Sequence, residues 1–269
     1  MEIFNENLSE TWPKRYGTEA PVSSHPLDRF LTHRSVRKYS GKPIEPELRE
    51  LLFAAAQSAA TSSNLSAWSA VVVDDPDQRE KLAKLVGNQS QVREAAIFLA
   101  FLADHTKLSA SAKSHGESPA GLEAVEMLLV SAIDAALAAE RLVCAAESIG
   151  IGSCYIGSLR NDPAGVAEVL QLPHGTFGLF GLCLGYPDPS VPPSVKPRMQ
   201  QAEVFHQDLY PDGWDPSDYN RRMSDFYLEE GMKGDVTWTM RSGKRVTLPG
   251  LNGRDTLLAA LQKQGFALL

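Results

Sequence analysis

The stretch from Gly121 to Ile149 limits the possible folds more than any other part of the chain. It is rich in alanine and apolar nearly all round at helical spacing, yet it carries Glu123, Glu126, Asp134, Glu140, Arg141 and Glu147. Each of those charges would be costly in hydrocarbon, so the stretch reads as a long helix inside a globular fold and not as a membrane span. A helix that is apolar on most sides belongs at the centre, with other elements packed around it. Two apolar runs of strand length can supply those neighbours. Ala95 to Ala103 (AAIFLAFLA) is unbroken, as in a strand buried on both faces, and Thr176 to Gly185 (TFGLFGLCLG) is punctuated by glycine.

Around this centre the pattern alternates irregularly. Pro46 to Ala60 predicts a helix that opens on proline, where the missing N–H is harmless. Ser69 to Val73 predicts a short strand ended by Asp74-Asp75-Pro76, and Pro76 to Val86 a second helix. The mixture predicts an α+β fold, with helices flanking a mixed or antiparallel sheet. The polar segment Asp104 to Pro119 reads as a mobile loop or lid. Residues 1–25 are polar, with Pro13 and Pro21, and read as an N-terminal arm; 26–210 form the core. Residues 211–269 form a C-terminal extension with helical patterns at Tyr219–Glu229 and Arg254–Gly265.

Composition narrows the function. The net charge is -7 over 269 residues, with acids and bases scattered, which argues against the basic face of a nucleic-acid binder. Three cysteines without pair spacing point to a reducing compartment. The first residues lack the layout of a secretory signal, so a cytoplasmic protein is expected, with no membrane partner. Six histidines show no metal-ligand spacing, and neither HExxH nor GxSxG occurs. No catalytic side chain and no metal site is therefore expected. Either a bound cofactor supplies the chemistry or there is none.

Four segments can bind a ligand, and each also has a plainer reading. In His33-Arg34-Ser35-Val36-Arg37-Lys38-Tyr39, a helical turn would put Arg34 and Arg37 on one side. They then form either a phosphate receptor or a solvated basic patch at a helix end. Ser62-Ser63-Asn64-Leu65-Ser66 offers hydroxyls and an amide to a ribityl chain or ring edge, or is a polar connection. Gly150 to Asn161 (GIGSCYIGSLRN) lacks the spacing of a dinucleotide fingerprint and follows a helix where that motif follows a strand. It reads as a helix end, a short strand and a turn at Gly157-Ser158, where backbone can approach a ligand closely. Finally, Gly185 to Arg198 leaves a buried strand through five prolines and presents Lys196 and Arg198. In an extended run those two point the same way, as a second cationic clamp or an exposed connection.

Taken together and in order, HRSVRKY, SSNLSAW, GIGSCYIGSLRN and GLCLGYPDPSVPPSVKPR resemble the FMN-dependent nitroreductase family, in its branch of NADPH-dependent nitroreductases and flavin reductases. The resemblance spans Leu27 to Tyr210 and, more weakly, the tail. It implies a nitroreductase-like fold and an intertwined homodimer with two FMN sites at the subunit interface, residues 211–269 packing on the partner. It assigns His33, Arg34, Ser35 and Arg37, joined by Lys196 and Arg198, to the FMN phosphate and ribityl chain. Ser62, Ser63, Asn64 and Ser66 would line the flavin, Gln89 would contact it, and Ile156, Gly157 and Ser158 would pass beside its ring.

The implied activity is ping-pong hydride transfer from NADPH or NADH to nitroaromatics, quinones or other small, flat aromatic acceptors. Reductive dehalogenation, ene reduction and biosynthetic dehydrogenation occur on the same fold, and a non-catalytic flavin-binding or sensing protein is a further alternative. Two positions depart from the family pattern. Ser66 stands where relatives carry Gln, and Glu230 stands where relatives carry an Arg for the NADPH 2'-phosphate. Carboxylate repels phosphate, so NADH stays open as donor, with Lys233 or Arg221 as substitute cations.

Overall fold

The computed structural model describes Phe4 and residues 6–269. In chain order the elements are α1 (Leu8–Tyr16), α2 (Asp28–Leu31), α3 (Pro46–Gln57), β1 (Trp68–Val72), α4 (Pro76–Leu85), α5 (Ser90–Glu94), β2 (Ile97–Asp104) and α6 (Thr106–Ser114). There follow α7 (Val125–Glu147), β3 (Gly152–Ile156), α8 (Pro163–Val169), β4 (Thr176–Gly185), α9 (Ser217–Glu229), α10 (Trp238–Arg245) and α11 (Leu257–Lys263). The chain divides into two compact units, residues 1–34 with 193–252, and residues 35–192 with 253–269. Among the described residues, no helix is long and apolar enough to cross a membrane.

The larger unit is an α+β sandwich. Its sheet runs β1-β2-β4-β3 and is antiparallel at every pairing. All eight residues of β2 are buried, which is why the AAIFLAFLA run has no polar alternation. One face of the sheet carries Ile97, Leu99, Phe101, Leu182 and Leu184 against Leu52 and Ala56 of α3 and Ala135, Ala138, Ala139 and Leu142 of α7. The alanines of α7 let its backbone approach the sheet, and full burial of a side chain such as Leu142 contributes about 1.5–3 kcal/mol. Trp68, Phe101 and Phe180 stack across three strands, with ring centroids 5.8 and 5.2 Å apart.

The long helix is shorter than its composition suggests. Pro119–Glu123 forms a separate 3-10 turn, and α7 begins at Val125. Its outer face is not covered by the described residues: Val125, Leu129, Ile133 and Leu137, four residues apart, are each at least 43% exposed. Asp104–Pro119, expected as a loop, holds the nine-residue helix α6. Arg254–Gly265 divides into a 3-10 turn at Arg254–Thr256 and α11.

The smaller unit contains α1, α2, α9 and α10. The presumed arm thus contains a regular helix: Asn7 and Glu10 close a capping box at the start of α1, and left-handed Gly17 ends it. Arg15 on α1 is buried, and Tyr219, Met223, Phe226 and Tyr227 of α9 make a small core of their own.

Candidate functional site

The HRSVRKY segment is extended, contrary to the helical turn expected. Ser35 makes a parallel bridge to Ser153 of β3, and Tyr39 an antiparallel bridge to Pro187. The Val36 N–H donates to the Ser153 carbonyl at 2.8 Å, and Gly152 leaves the room this requires, since a Cβ there would stand 2.3 Å from Val36 Cγ2. An extended segment alternates its side chains, so Thr32, Arg34 and Val36 are buried on one side while Arg37, of the opposite parity, is exposed. Arg34 and Arg37 therefore do not act from one side.

In the smaller unit, Arg34 is committed to protein partners. Its Nε donates to the Thr32 carbonyl (3.0 Å), Nη1 to the Pro193 carbonyl (3.4 Å) and Nη2 to Glu6 Oε2 (2.7 Å). Burial opposes the charge of Glu6, but hydrogen bonds from Lys14 and Arg34 outweigh it and hold the carboxyl below its usual range. Val195 and Pro197 are buried, while Lys196 and Arg198 between and after them are exposed, as the two-residue period requires. Among the described residues, Arg198 Nη1 reaches the carbonyls of Lys196 and Pro197, at 3.4 and 3.3 Å, and Lys196 Nζ lies 5.8 Å from the Phe226 ring centre.

Arg15 organises this unit, although no motif or period in the sequence marks it. Its guanidinium donates to the carbonyls of Leu31, His33 (2.6 Å) and Lys196 (2.9 Å). Arg222, also buried, donates to the carbonyls of Arg15 and Arg198. No periodicity or motif reveals a pairing between residues 181 positions apart.

In the larger unit, Gln89 and Ser158 meet. Gln89 Nε2 donates to Ser158 Oγ at 2.5 Å and to the Val86 carbonyl at 2.8 Å, and Gln91 donates to Gln89 Oε1. Ser158 sits in the 3-10 turn Gly157–Arg160 that follows β3, just after buried Ile156. The same turn is held by Arg160 donating to the Leu179 carbonyl and by Arg254 Nε donating to Asn161 Oδ1 at 2.8 Å. Arg160, Asn161 and Arg254 were not among the expected site residues, though Arg160 and Asn161 lie inside the motif that contained them.

Ser62, Ser63 and Asn64 form an exposed 3-10 turn. Ser63, Asn64 and Ser66 all have positive φ (50°, 56° and 48°), a conformation that is costly for residues other than glycine. Asp134 of α7, fully buried, holds this turn: its two carboxylate oxygens accept the N–H groups of Ser62 (2.8 Å) and Ala67 (3.2 Å). Ser66 borders an open cavity of about 430 Å³ with Phe53, Thr61, Trp68, Phe101 and Lys107. Cys154 and Cys183 oppose each other across β3 and β4, and burial raises both thiols above their usual range.

The comparisons agree with the order of these segments. The Nitroreductase family model matches residues 31–186, and the model of that family's C-terminal domain matches residues 196–269. The "FMN reductase (NADPH)" of Bacillus subtilis is 38% identical over 79% of this chain and 88% of its own. A B. subtilis nitroreductase structure superposes with a TM-score of 0.82 at 36% identity, covering 88% of this chain and 97% of the other. The Vibrio harveyi NADPH:FMN oxidoreductase complexed with NAD+ does so at 0.76 and 35% identity, covering 87% and 95%. On this agreement of sequence and fold, the chain belongs to the nitroreductase family.

Proposed function

We propose that the protein is an FMN-dependent oxidoreductase that uses NADPH or NADH to reduce nitroaromatics, quinones or related flat acceptors by a ping-pong mechanism. The observation that carries this reading is the run Val195–Arg198, in which Lys196 and Arg198 project from a backbone anchored by Arg15. Arg198 has no carboxylate partner among the described residues, and a cation so placed fits a phosphate dianion. By the family resemblance we also assign His33, Ser35 and Arg37 to the flavin nucleotide, and Arg37 is exposed. Arg34 contributes by holding that segment, through Thr32, Pro193 and Glu6.

FMN, when bound, supplies a centre that accepts hydride from the nucleotide and passes the electrons to the acceptor. The residues around it bind and orient. Gln89 and Ser158 fix each other's side chains, and buried Ile156 anchors the start of the Gly157–Arg160 turn that we place beside the flat ring. Ser62, Ser63, Asn64 and Ser66 offer hydroxyls and an amide on a turn locked by Asp134. None of these groups has to titrate, so alignment is the chain's contribution. The exposed apolar stripe Val125, Leu129, Ile133 and Leu137 is the surface we assign to a second copy, in an intertwined homodimer with residues 211–269 on the partner. We place the protein in the cytoplasm, where nicotinamide nucleotides are found and its three thiols stay reduced.

Anaerobic stopped-flow mixing with each nucleotide tests the reading. Rapid bleaching of the visible flavin band is expected; a flavin that neither nucleotide bleaches would sink the reductase assignment. Glu230, exposed at the end of α9, favours NADH as a competing donor, so the ratio of the two rates also reports nucleotide preference.

A further inference from the structure

Helix α1 lies ahead of residue 31, where the match to the family model begins. It makes a set of contacts that an unattached arm would not need. Arg15, on its last turn, is 4% exposed and donates from its guanidinium to backbone carbonyls of the segments to which we assign the phosphate ligands. Those are Leu31 and His33 on one side, at 2.6 to 3.1 Å, and Lys196 on the other, at 2.9 Å. The helix also receives. The Arg15 carbonyl accepts the Arg198 N–H at 2.8 Å and Arg222 Nη1 at 2.9 Å, and the Tyr16 carbonyl accepts Gln200 Nε2 at 2.6 Å. Gly17, left-handed at φ 70°, ends the helix where a Cβ would meet Arg222 Cδ at 2.7 Å. At the other end, Glu6 accepts from Arg34 at 2.7 Å and from Lys14 at 3.0 Å.

We propose that α1 is an added clip for the anion-binding cations, and that Arg15 is a positioning residue for the phosphate end of the flavin nucleotide. It touches no ligand. By fixing the His33 and Lys196 carbonyls it fixes the backbone from which the imidazole, ammonium and Arg198 guanidinium project. An arginine suits this task because its planar fork reaches several carbonyls at once, whereas a lysine at the same place reaches one or two. The proposal rests on the flavin reading and extends it to a helix outside the family match.

Phosphate positioning can be separated from general stability by comparing FMN with riboflavin, which lacks the phosphate. In the full chain, Arg15→Gln and Arg15→Lys should weaken FMN binding about tenfold or more. Riboflavin affinity should stay within about twofold, so that discrimination between the two collapses. Equal loss of both ligands, or no loss of either, overturns the proposal. In the wild-type holoenzyme, amide hydrogen exchange supplies a measure that no variant's folding can spoil. The Arg198 N–H should exchange slowly although its side chain is exposed, and fast exchange there also overturns the clip. A wild-type protein that binds neither FMN nor riboflavin removes the flavin reading itself, and the proposal with it; one that binds both equally removes the phosphate role alone.

Discussion

At the scale of single residues, the two arginines of the HRSVRKY segment have different jobs. Arg34 is buried against Glu6 and two carbonyls, so Arg34→Ala should lower the stability of the FMN-free protein by about 1–3 kcal/mol as well as weakening FMN binding. Arg37 is exposed, so Arg37→Ala should leave FMN-free stability within about 0.5 kcal/mol while lowering FMN affinity about tenfold. Urea titration and flavin titration together check both; equal stability losses in the two variants would contradict the division. The sequence put Lys196 and Arg198 on one side, and both are exposed, because two-residue parity needs only local extended backbone. It misread Arg34 and Arg37 because three-residue spacing means one face only in a helix, and this segment is held extended by Ser153 and Pro187. Arg15 and Asp134 were invisible for another reason: each acts through backbone groups far away in the chain, which leave no side-chain pattern to read.

Among the elements, long apolar runs and stripes were legible, whereas the short helices α1, α5 and α8 were not, although each buries some residues. β2 and β4 stood out as apolar runs, and α3 as a periodic stripe. Helix α6 has no buried residue, so its Ser- and Lys-rich sequence carried no apolar period and read as a loop. Packing between elements supports two further predictions. Gly181 of β4 faces Phe98 and Ile156, and a Cβ there would stand 2.8 Å from the Phe98 ring. Gly181→Ala should therefore cost about 1–3 kcal/mol, seen as a lower denaturation midpoint; an unshifted midpoint would mean the ring moves freely. His105, after β2, is buried against Phe266 and shares its Nε2 with Ser131 and the Met127 carbonyl. Burial lowers its pKa below the usual 6.5, against the opposing effects of the Met127 carbonyl and the Asp104 charge. The unfolded chain then binds the proton more readily, so this contribution to stability is full above pH 6.5 and is lost as pH falls toward the folded value. His105→Gln should flatten the melting temperature against pH in that window; an unaltered slope would exclude His105 as its source.

For the whole molecule, the uncovered stripe on α7 is the feature that needs an occupant. Four apolar side chains at one-turn spacing form a continuous exposed surface that a second copy can bury. Leu129→Lys with Ile133→Lys should shift the sedimentation coefficient from dimer to monomer and release FMN, if Ser62–Asn64 line the flavin of the partner. A wild-type protein that sediments as a stable, flavin-loaded monomer would contradict the shared site.

Two properties followed from the sequence alone: an α+β fold built on a long alanine-rich helix, and membership of a flavin-using family. Buried apolar periodicity and the order of four short segments are both written along the chain. The tertiary structure decided which cations are exposed and which are committed, that α1 is a capped helix with a buried Arg15, and what holds the Ser62–Ala67 turn in its left-handed conformation. Those depend on carbonyls and N–H groups from distant segments, and the backbone offers the same groups at nearly every position. Only the folded chain determines which of them meet.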